Sequence, residues 1–329
     1  MTFWSDRPVL VTGGAGFIGS HLCEALVAAG ARVTVFTRYS SRGIRGAVDS
    51  MPPDLRSRIR FIMGDLKDPS GVNEAVRGAD TVFHLAAHIG IPYSYVHPVD
   101  VVQTNVNGTM HVLEACRQND VAKLVVFSTS EVYGSALKVP IDEDHPLQGQ
   151  SPYSASKIGA DQLALSYFRA FGVPVAICRP FNTYGPRQPA RAIIPTIISQ
   201  ALRSDTVRLG SLLPTRDLVY VGDTVAGAMM IAESGEAPGQ VIQLGTGVEV
   251  SIGNLFDTIC RVLGRTPRIM VEDSRLRPDK SEVMRLVADP SRARTVLGWA
   301  PQVPLEEGIA RTAEWVRSNI DFFETEYQI

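Results

Sequence analysis

A glycine-rich segment near the start of the chain constrains the fold more than any other feature. Residues 9–20 read VLVTGGAGFIGS, and Gly13, Gly16 and Gly19 recur at three-residue steps between a strand-like run and a helical run. Glycine at these steps lets the strand turn sharply, lets a diphosphate approach backbone N–H groups, and lets the helix pack closely on the sheet. The spacing therefore predicts a dinucleotide-binding loop, although an ordinary glycine turn of an α/β protein shares part of the pattern.

The chain alternates short β-branched runs with helical segments up to residue 180. The predicted strands cover residues 9–12, 32–36, 60–63, 81–85, 124–128 and 175–179, and the predicted helices cover residues 18–29, 105–118 and 154–171. This order predicts an α/β fold with a doubly wound parallel sheet. Beyond Pro180 prolines become frequent and the alternation weakens. We expect residues 1–180 to form the dinucleotide-binding domain and residues 181–329 to form a smaller substrate-binding lobe interleaved with the sheet.

Composition and charge exclude several classes of function. The 329 residues carry 32 basic and 34 acidic side chains, a net charge of -2, which gives no electrostatic footprint for nucleic acid or an anionic membrane. No run approaches the roughly 20 apolar residues that cross a bilayer, and the N-terminus lacks the apolar core of a signal peptide. Four scattered cysteines without CxxC spacing argue against disulfides and zinc, so we expect a cytoplasmic protein.

The end of the second predicted strand bears on the choice of cofactor. An NAD-binding fold usually places a carboxylate there for the ribose 2′-hydroxyl, whereas residues 37–42 read TRYSSR and contain none. Arg38 and Arg42 could instead bind a 2′-phosphate, so NADP is favoured over NAD. The alternative is that both arginines are solvated loop charges. Asp65, after the third strand, is well placed for the adenine edge.

Tyr153 and Lys157 lie four residues apart at the start of a predicted helix and therefore share one face. Lowering the pKa of a tyrosine from about 10 to neutrality takes about 4 kcal/mol of selective stabilisation of the phenolate. Lys157 and the positive charge of a nicotinamide can supply it. A YxxxK pair occurs often by chance, but next to a dinucleotide loop it predicts a catalytic pair.

The segment STSEVYG (residues 128–134) follows an apolar strand, so its polar side chains emerge at the carboxyl edge where open α/β sheets bind ligands. Thr129 can hydrogen-bond a substrate hydroxyl together with Tyr153. Glu131 can accept a carbon-bound proton once the adjacent carbon has become a ketone. The alternative for Glu131 is a solvated loop carboxylate.

The spacing of His84 and His88, four residues apart, raises the question of a metal site, because two histidines at this spacing can bind one metal ion from one helix face. His84 ends a predicted strand rather than lying on a helix, and no nearby carboxylate or cysteine completes a set of ligands. We therefore predict no metal.

Motifs along nearly the whole chain resemble the extended short-chain dehydrogenase/reductase superfamily of nucleotide-sugar enzymes, the NAD-dependent epimerase/dehydratase family. They are TGGAGFIGSHL (12–22), GDL (64–66), HLAA (84–87), STSEVYG (128–134), YSASK (153–157), RPFNTYGPRQ (179–188), RDLVYVGD (216–223) and LGW (297–299). Within that group, YSSRG (39–43), IPYSYVHP (91–98), SPYSASKIGAD (151–161) and RPDKSEVMRL (277–286) are similar to 4,6-dehydratases of the legionaminic acid pathway. Those enzymes act on nucleotide-linked N-acetylglucosamine.

The resemblance implies a Rossmann-type sheet, a tightly bound NAD(P), a nucleotide-diphosphate sugar as substrate, and a homodimer formed by the helices near residues 105–118 and 154–171. The alternative for the apolar faces of these two helices is packing in the core. The implied catalytic residues are Thr129, Ser130, Glu131, Tyr153 and Lys157. The implied cofactor-binding residues are Gly13, Gly16, Phe17, Ile18, Gly19, Arg38, Arg42, Asp65, Leu66, Leu85, Ala86, Ala87, Tyr153 and Lys157. The residues implied to contact the phosphates and sugar of the substrate are Asn182, Arg191, Arg216 and Arg277.

The resemblance further implies dehydration of a sugar through transient oxidation at C4. Many related dehydratases carry an aspartate where this chain has Ser130, so either Glu131 makes both proton transfers or a water assists. The same departure keeps a UDP-glucuronate decarboxylase and a 4-epimerase open as alternatives, in that order, because Glu131 counts against a plain epimerase. A non-catalytic NADP-binding regulator is the alternative outside enzymes.

Overall fold

A computed structural model describes residues 2–41, 43, 45–272, 275 and 283–323. Within them the chain forms thirteen strands. They are β1 (Pro8–Thr12), β2 (Arg32–Thr37), β3 (Arg60–Met63), β4 (Thr81–His84), β5 (Lys123–Phe127), β6 (Val175–Pro180), β7 (Asn182–Tyr184), β8 (Thr206–Leu209), β9 (Thr215–Tyr220), β10 (Val241–Leu244), β11 (Glu249–Ser251), β12 (Arg268–Val271) and β13 (Arg285–Leu286). The six strands predicted from sequence are confirmed, with ends that agree within one residue.

The same residues form twelve α-helices. They are α1 (Phe17–Ala28), α2 (Pro53–Arg56), α3 (Pro69–Val76), α4 (Ile91–Val96), α5 (Pro98–Val102), α6 (Gly108–Gln118), α7 (Pro152–Phe171), α8 (Ile193–Arg203), α9 (Val221–Glu233), α10 (Ile252–Leu263), α11 (Ser291–Leu297) and α12 (Leu305–Ser318). None of the helices in the described part of the chain combines the length and apolar character needed to span a bilayer.

Seven strands form one parallel sheet in the order β10-β6-β5-β4-β1-β2-β3. Its central strands are buried almost throughout, as expected for a parallel sheet covered on both faces. Helices α1 and α9 contribute apolar side chains to the core on one face, and α3, α6 and α7 contribute to the core on the other. The predicted doubly wound α/β fold is therefore confirmed. Because all seven strands are parallel, their carboxyl ends lie along the same edge of the sheet.

All three predicted helices begin at residues that differ from the predictions, and α1 begins one residue early, at Phe17. Helix α7 begins at Pro152, earlier than predicted, because Ser151 and Ser154 form a reciprocal capping box and proline occupies the first helical turn. The predicted helix over residues 105–118 is α-helical only from Gly108, since Gln103–Asn107 forms a π-helical turn. Such turns are often found at functional sites.

The second lobe is built around strands β7, β9, β11 and β13, with a separate pair formed by β8 and β12. Helices α8, α10 and α12 pack against this part and share a third apolar core. Strand β10 pairs with β6 and helix α9 packs on the large sheet, so the chain after residue 180 contributes to both parts. The division of the chain at residue 180 stays a prediction.

Candidate active site

The glycine-rich loop between β1 and α1 forms a cradle with little room for side chains. Gly13 has a positive φ of +72°, and a Cβ there would lie 2.6 Å from the backbone nitrogen of Ala86. A Cβ on Gly19 would lie 2.3 Å from the carbonyl oxygen of Gly13. Helix α1 begins at Phe17 with no side-chain cap and no acidic residue in its first turn. These features fit the diphosphate of a dinucleotide, because uncapped N–H groups and the helix dipole attract an anion.

The segment after β4 lies against this cradle. The backbone nitrogen of Leu85 donates to the carbonyl oxygen of Thr12 at 3.1 Å, and that of Ala86 donates to Thr12 Oγ1 at 3.3 Å. Ala87 follows in the same segment and, like Leu85 and Ala86, is partly buried. The two loops predicted to bind the cofactor are thus held together at the carboxyl edge of the sheet.

The residues predicted for the adenosine side lie mostly at the surface. Asp65 is exposed, and its Oδ1 accepts a hydrogen bond from the backbone nitrogen of Lys67 at 2.9 Å. Leu66 is buried against Gly108. Arg38 is exposed after β2, and Arg42 lies outside the described residues.

Arg38 lies near a polar cluster on the segment that follows Ala87. Tyr93 Oη donates to Asp100 at 2.8 Å, and His88 Nε2 lies 3.0 Å from the same carboxylate. Burial lowers the pKa of His88, Asp100 opposes that change, and the charge of Arg38 lowers the pKa further. The positive charge of Arg38 therefore acts on this polar cluster.

Tyr153 and Thr129 meet at the carboxyl edge of the sheet. Tyr153 projects from the first turn of α7 and is only 7% exposed. The side chain of Thr129 lies close enough to this phenol group to lower its pKa. Lys157, one helical turn further on, is also buried and donates from Nζ to the carbonyl oxygen of Phe127 at 2.6 Å. The pair predicted from YSASK is thus present on one helix face.

The electrostatic environment of Tyr153 differs from the one expected from sequence. Burial raises the pKa of Tyr153 above the usual value of a phenol. The side chain of Thr129 lowers this pKa, and the carboxylates of Glu131 and Asp161 raise it. Burial also lowers the pKa of Lys157, since a charged amine loses solvation there. The surrounding side chains therefore keep Tyr153 protonated, and its ionisation needs a further positive charge.

The turn after β5 positions the remaining predicted catalytic residues. Thr129 caps a short 3₁₀ turn over Ser130–Tyr133, and its Oγ1 accepts a hydrogen bond from the backbone nitrogen of Glu131 at 3.2 Å. Ser130 is buried, whereas Glu131 is half-buried and close enough to influence the pKa of Tyr153. Thr129, Glu131 and Tyr153 therefore converge on one place.

Three of the four predicted substrate residues lie in the described part of the chain. Asn182 is the first residue of β7, the strand that follows β6 in the chain. Arg191 is exposed, and its charge lowers the pKa of Tyr153. Arg216 on β9 is buried, and its Nη1 donates to the carbonyl oxygens of Thr215 and Val283. Arg277 lies outside the described residues.

Strand β7 and the loop after it retain buried polar atoms without a hydrogen-bond partner among the described residues. They are Asn182 Oδ1, Arg187 Nη1 and Gln188 Oε1. An unpaired buried polar atom costs about 1–3 kcal/mol, so this loop is suited to accept a further polar partner.

The sequence reasoning did not identify a buried network behind Tyr153 and Lys157. Asp161 Oδ2 accepts hydrogen bonds from Ser128 Oγ at 2.6 Å and from Arg179 Nη2 at 2.8 Å. Arg179 Nη1 also donates to Tyr133 Oη at 2.7 Å. The spacing of Asp161, four residues after Lys157, was the available signal, since it places both on one helix face.

Asn105 was also missed. Its Oδ1 accepts from the backbone nitrogen of His88 at 2.7 Å, and its Nδ2 donates to the carbonyl oxygen of His88 and to Ser156 Oγ. It therefore ties the segment after β4 to the helix that carries Tyr153. The π-helical turn that presents it gives no strong sequence signal.

His84 takes part in hydrogen bonds of the core. Its Nδ1 lies 2.7 Å from Thr12 Oγ1 and its Nε2 lies 3.0 Å from Thr109 Oγ1. Burial, with the charge of Lys157, lowers the pKa of His84 to about 3, so the ring is neutral. Among the described residues no group of three metal-ligating side chains comes together.

Comparisons with known proteins agree with this geometry. The family model described as GDP-mannose 4,6 dehydratase matches residues 10–312. A dTDP-glucose 4,6-dehydratase of Streptomyces antibioticus is 35% identical over 326 residues, which cover 96% of this chain and 94% of that protein.

Two solved structures share the fold over nearly their full lengths. The dTDP-glucose 4,6-dehydratase of Streptomyces venezuelae, solved with NAD bound, has a TM-score of 0.85 and 32% identity, covering 97% of this chain and 99% of that chain. An epimerase of Methanothermobacter thermautotrophicus has a TM-score of 0.89 and 29% identity, covering 97% and 95%.

The sheet, the glycine cradle and the Tyr153–Lys157 pair define an extended short-chain dehydrogenase/reductase. Within that class the chain belongs to the NAD-dependent epimerase/dehydratase family, matched by the GDP-mannose 4,6 dehydratase model. It is therefore an enzyme of a family whose members act on nucleotide sugars.

Proposed function

We propose that this protein is a nucleotide-sugar 4,6-dehydratase, which converts an NDP-hexose or NDP-N-acetylhexosamine into a 4-keto-6-deoxy sugar. The observation that carries the proposal is the convergence of Thr129, Glu131 and Tyr153 at the carboxyl edge of the sheet. A plain epimerase has no use for a carboxylate at this place. The similarity to legionaminic acid pathway enzymes favours nucleotide-linked N-acetylglucosamine as the substrate.

The residues present fit a dinucleotide cofactor. Gly13, Gly16 and Gly19 leave space for its diphosphate, and Tyr153 and Lys157 lie at the same edge of the sheet. The cofactor, when bound, accepts a hydride from the sugar and later returns it. We propose that it is tightly held, since the reaction regenerates it, and that Arg38 favours NADP over NAD.

In the first half of the reaction, Tyr153 accepts the proton of the C4 hydroxyl while the C4 hydrogen leaves as hydride. Thr129 orients that hydroxyl through its contact with Tyr153. Ionising the phenol against the effect of burial would require positive charge beside it, which a protonated Lys157 and an oxidised nicotinamide would supply. The product is a 4-keto sugar.

In the second half, the ketone acidifies the C5 hydrogen and Glu131 accepts it as a proton. The C6 hydroxyl departs with one proton as water, which leaves a double bond between C5 and C6. Hydride then adds to C6, and C5 takes up a proton from solvent while Tyr153 releases the proton that it accepted from the C4 hydroxyl. Because Ser130 replaces the aspartate of many relatives, Glu131 or a water protonates the departing hydroxyl. The sum of the steps is the loss of one water without net oxidation.

The test is incubation of the purified protein with UDP-, GDP-, CDP- and dTDP-linked hexoses and N-acetylhexosamines and with UDP-glucuronate. Mass spectrometry of the nucleotide sugar then separates the possible reactions. Loss of the mass of one water supports a dehydratase, and loss of the mass of carbon dioxide from UDP-glucuronate supports the decarboxylase instead. An unchanged mass with an altered sugar supports a 4-epimerase, and no change with any donor supports an NADP-binding regulator.

We also propose a cytoplasmic homodimer. Apolar side chains of α4 to α6 are exposed in the single chain, including Val96, Val99, Val102 and Met110. They lie on α6 itself or on α4 and α5, which pack against α7, and α6 and α7 are the helices for which the sequence resemblance implies a dimer interface. Light scattering during size-exclusion chromatography would measure the oligomeric state, and a monomer would contradict the proposal.

A further inference from the structure

A half-buried cluster of polar side chains attaches the loop that follows β7 to helix α1. Arg187 of the loop forms an ion pair with Glu24 and donates from Nη2 to His21 Nδ1 at 2.9 Å. His21 Nε2 lies 2.8 Å from the carbonyl oxygen of Pro186. Burial lowers the pKa of His21 to about 4, so the neutral ring accepts from Arg187 on one side and donates to the loop backbone on the other.

The backbone at Arg187 is held in an unfavourable conformation. Its φ is +66°, in the left-handed region that residues with a Cβ seldom adopt. Its side chain is nevertheless only 8% exposed, and Nη1 has no hydrogen-bond partner among the described residues. A strained arginine that is buried and only partly paired indicates a position selected for more than stability.

The cluster connects the two halves of the proposed site. Helix α1 begins at Phe17 above the glycine cradle, and the ring of His21 contacts that of Phe17 at 5.8 Å between centroids. On the other side, the loop joins Asn182, with its unpaired Oδ1, to Arg191, whose charge reaches Tyr153. A shift of Arg187 would therefore move the substrate loop relative to the cofactor helix.

We propose that Arg187 is a positioning residue that couples dinucleotide binding to nucleotide-sugar binding by locking the loop of residues 185–188 onto Glu24 and His21 of α1. The inference rests on the proposed function only in assuming that both ligands bind. Binding of either ligand then favours the loop position that suits the other, so each tightens the other by the same factor.

The test measures how fast the purified full-length protein loses its bound dinucleotide during dialysis, with and without saturating UDP, dTDP, GDP or CDP. We expect at least one nucleoside diphosphate to slow the loss by about fivefold or more in the wild type. In Glu24→Gln, which removes the charge but keeps the size, the slowing should fall below about twofold. Glu314→Gln, which removes a surface ion pair with Arg317, should behave like the wild type.

Arg187→Gly is the second variant, because glycine adopts a positive φ without strain. It removes the guanidinium while relieving the backbone, so loss of coupling in a variant that melts cooperatively cannot be ascribed to misfolding. In both variants the KM for the sugar nucleotide should rise by about fivefold or more, the factor by which the bound dinucleotide no longer tightens it. A purely structural role would leave the coupling factor between the two ligands unchanged.

Failure of this inference is distinguishable from failure of the proposed reaction. If no nucleoside diphosphate slows dinucleotide loss in the wild type, or if both variants keep the full slowing, the positioning role is wrong even when dehydration occurs. If the slowing is present and is lost in both variants while no sugar nucleotide is dehydrated, the positioning role stands and the dehydratase assignment fails.

Discussion

Asp161 and Arg179 form an ion pair at 2.8 Å in which both side chains are at most 2% exposed. The pair lies one helical turn beyond Lys157, and the charge of Asp161 opposes the effect of burial on the lysine. The carboxylate of Asp161 therefore favours the charged form of the buried Lys157, which the proposed reaction uses. Because Arg179 also donates to Tyr133, this pair joins α7, β6 and the turn that carries Glu131.

Removing one member of this pair should be more damaging than removing both. Asp161→Asn leaves the guanidinium of Arg179 buried without a counter-charge, and we expect a loss of about 3–5 kcal/mol in the free energy of unfolding. The double variant Asp161→Leu/Arg179→Met should lose less than Asp161→Asn alone. Urea denaturation followed by circular dichroism measures both free energies of unfolding, and a double variant that loses as much as Asp161→Asn, or more, would contradict the argument.

Glu131→Gln should separate the two halves of the reaction. The amide keeps the shape of the side chain but cannot accept the C5 proton, so we expect dehydration to fall by about 10²–10⁴-fold. Cofactor binding and C4 oxidation should persist, and the absorbance of reduced nicotinamide should accumulate on adding substrate. Full dehydration by this variant, measured by mass spectrometry, would refute the assigned role.

Gly13→Ala should lose the cofactor, because the added Cβ would lie 2.6 Å from the backbone nitrogen of Ala86 and the φ is +72°. Gly78→Ala is the matched control, since its φ is +77° but no atom lies within 4 Å of the added Cβ. Both variants carry the strain of a left-handed alanine, about 1–2 kcal/mol. The dinucleotide released on denaturation is quantified by mass spectrometry. Equal amounts of dinucleotide in the two variants would contradict binding of the cofactor at the glycine-rich loop.

Local patterns made much of this fold predictable from sequence. The glycine loop and the alternation of strands and helices identified β1 to β6, and the YSASK spacing placed Tyr153 and Lys157 on one face of α7. Strand β10 was not predicted, because it follows a proline-rich region and joins the sheet only through tertiary pairing with β6. The ion-pair partners of Arg187 and similar side chains could not be predicted for the same reason. Arg187 and Glu24, for example, are 163 residues apart in the chain and meet only in the folded structure.

Arg38→Ala tests the choice of cofactor. If Arg38 binds the 2′-phosphate, the variant should lose about tenfold or more in affinity for NADP, while affinity for NAD changes by less than about twofold. Titration calorimetry with each cofactor measures both values. Equal losses for the two cofactors would show that Arg38 acts on their shared part, and the NADP preference would be withdrawn.

His84 should make the protein sensitive to acid. Burial lowers the pKa of His84 from 6.5 in the unfolded chain to about 3 in the folded protein. Between these two pH values the imidazole is protonated in the unfolded state and neutral in the folded state. The free energy of unfolding therefore decreases as pH falls through this window, by up to ~1.4 kcal/mol per pH unit from this group. We expect His84→Gln to flatten that slope and His97→Gln, at an exposed position, to leave it unchanged. Urea denaturation at a series of pH values measures the slope, and identical slopes in wild type and His84→Gln would show that the ring accepts its proton without unfolding.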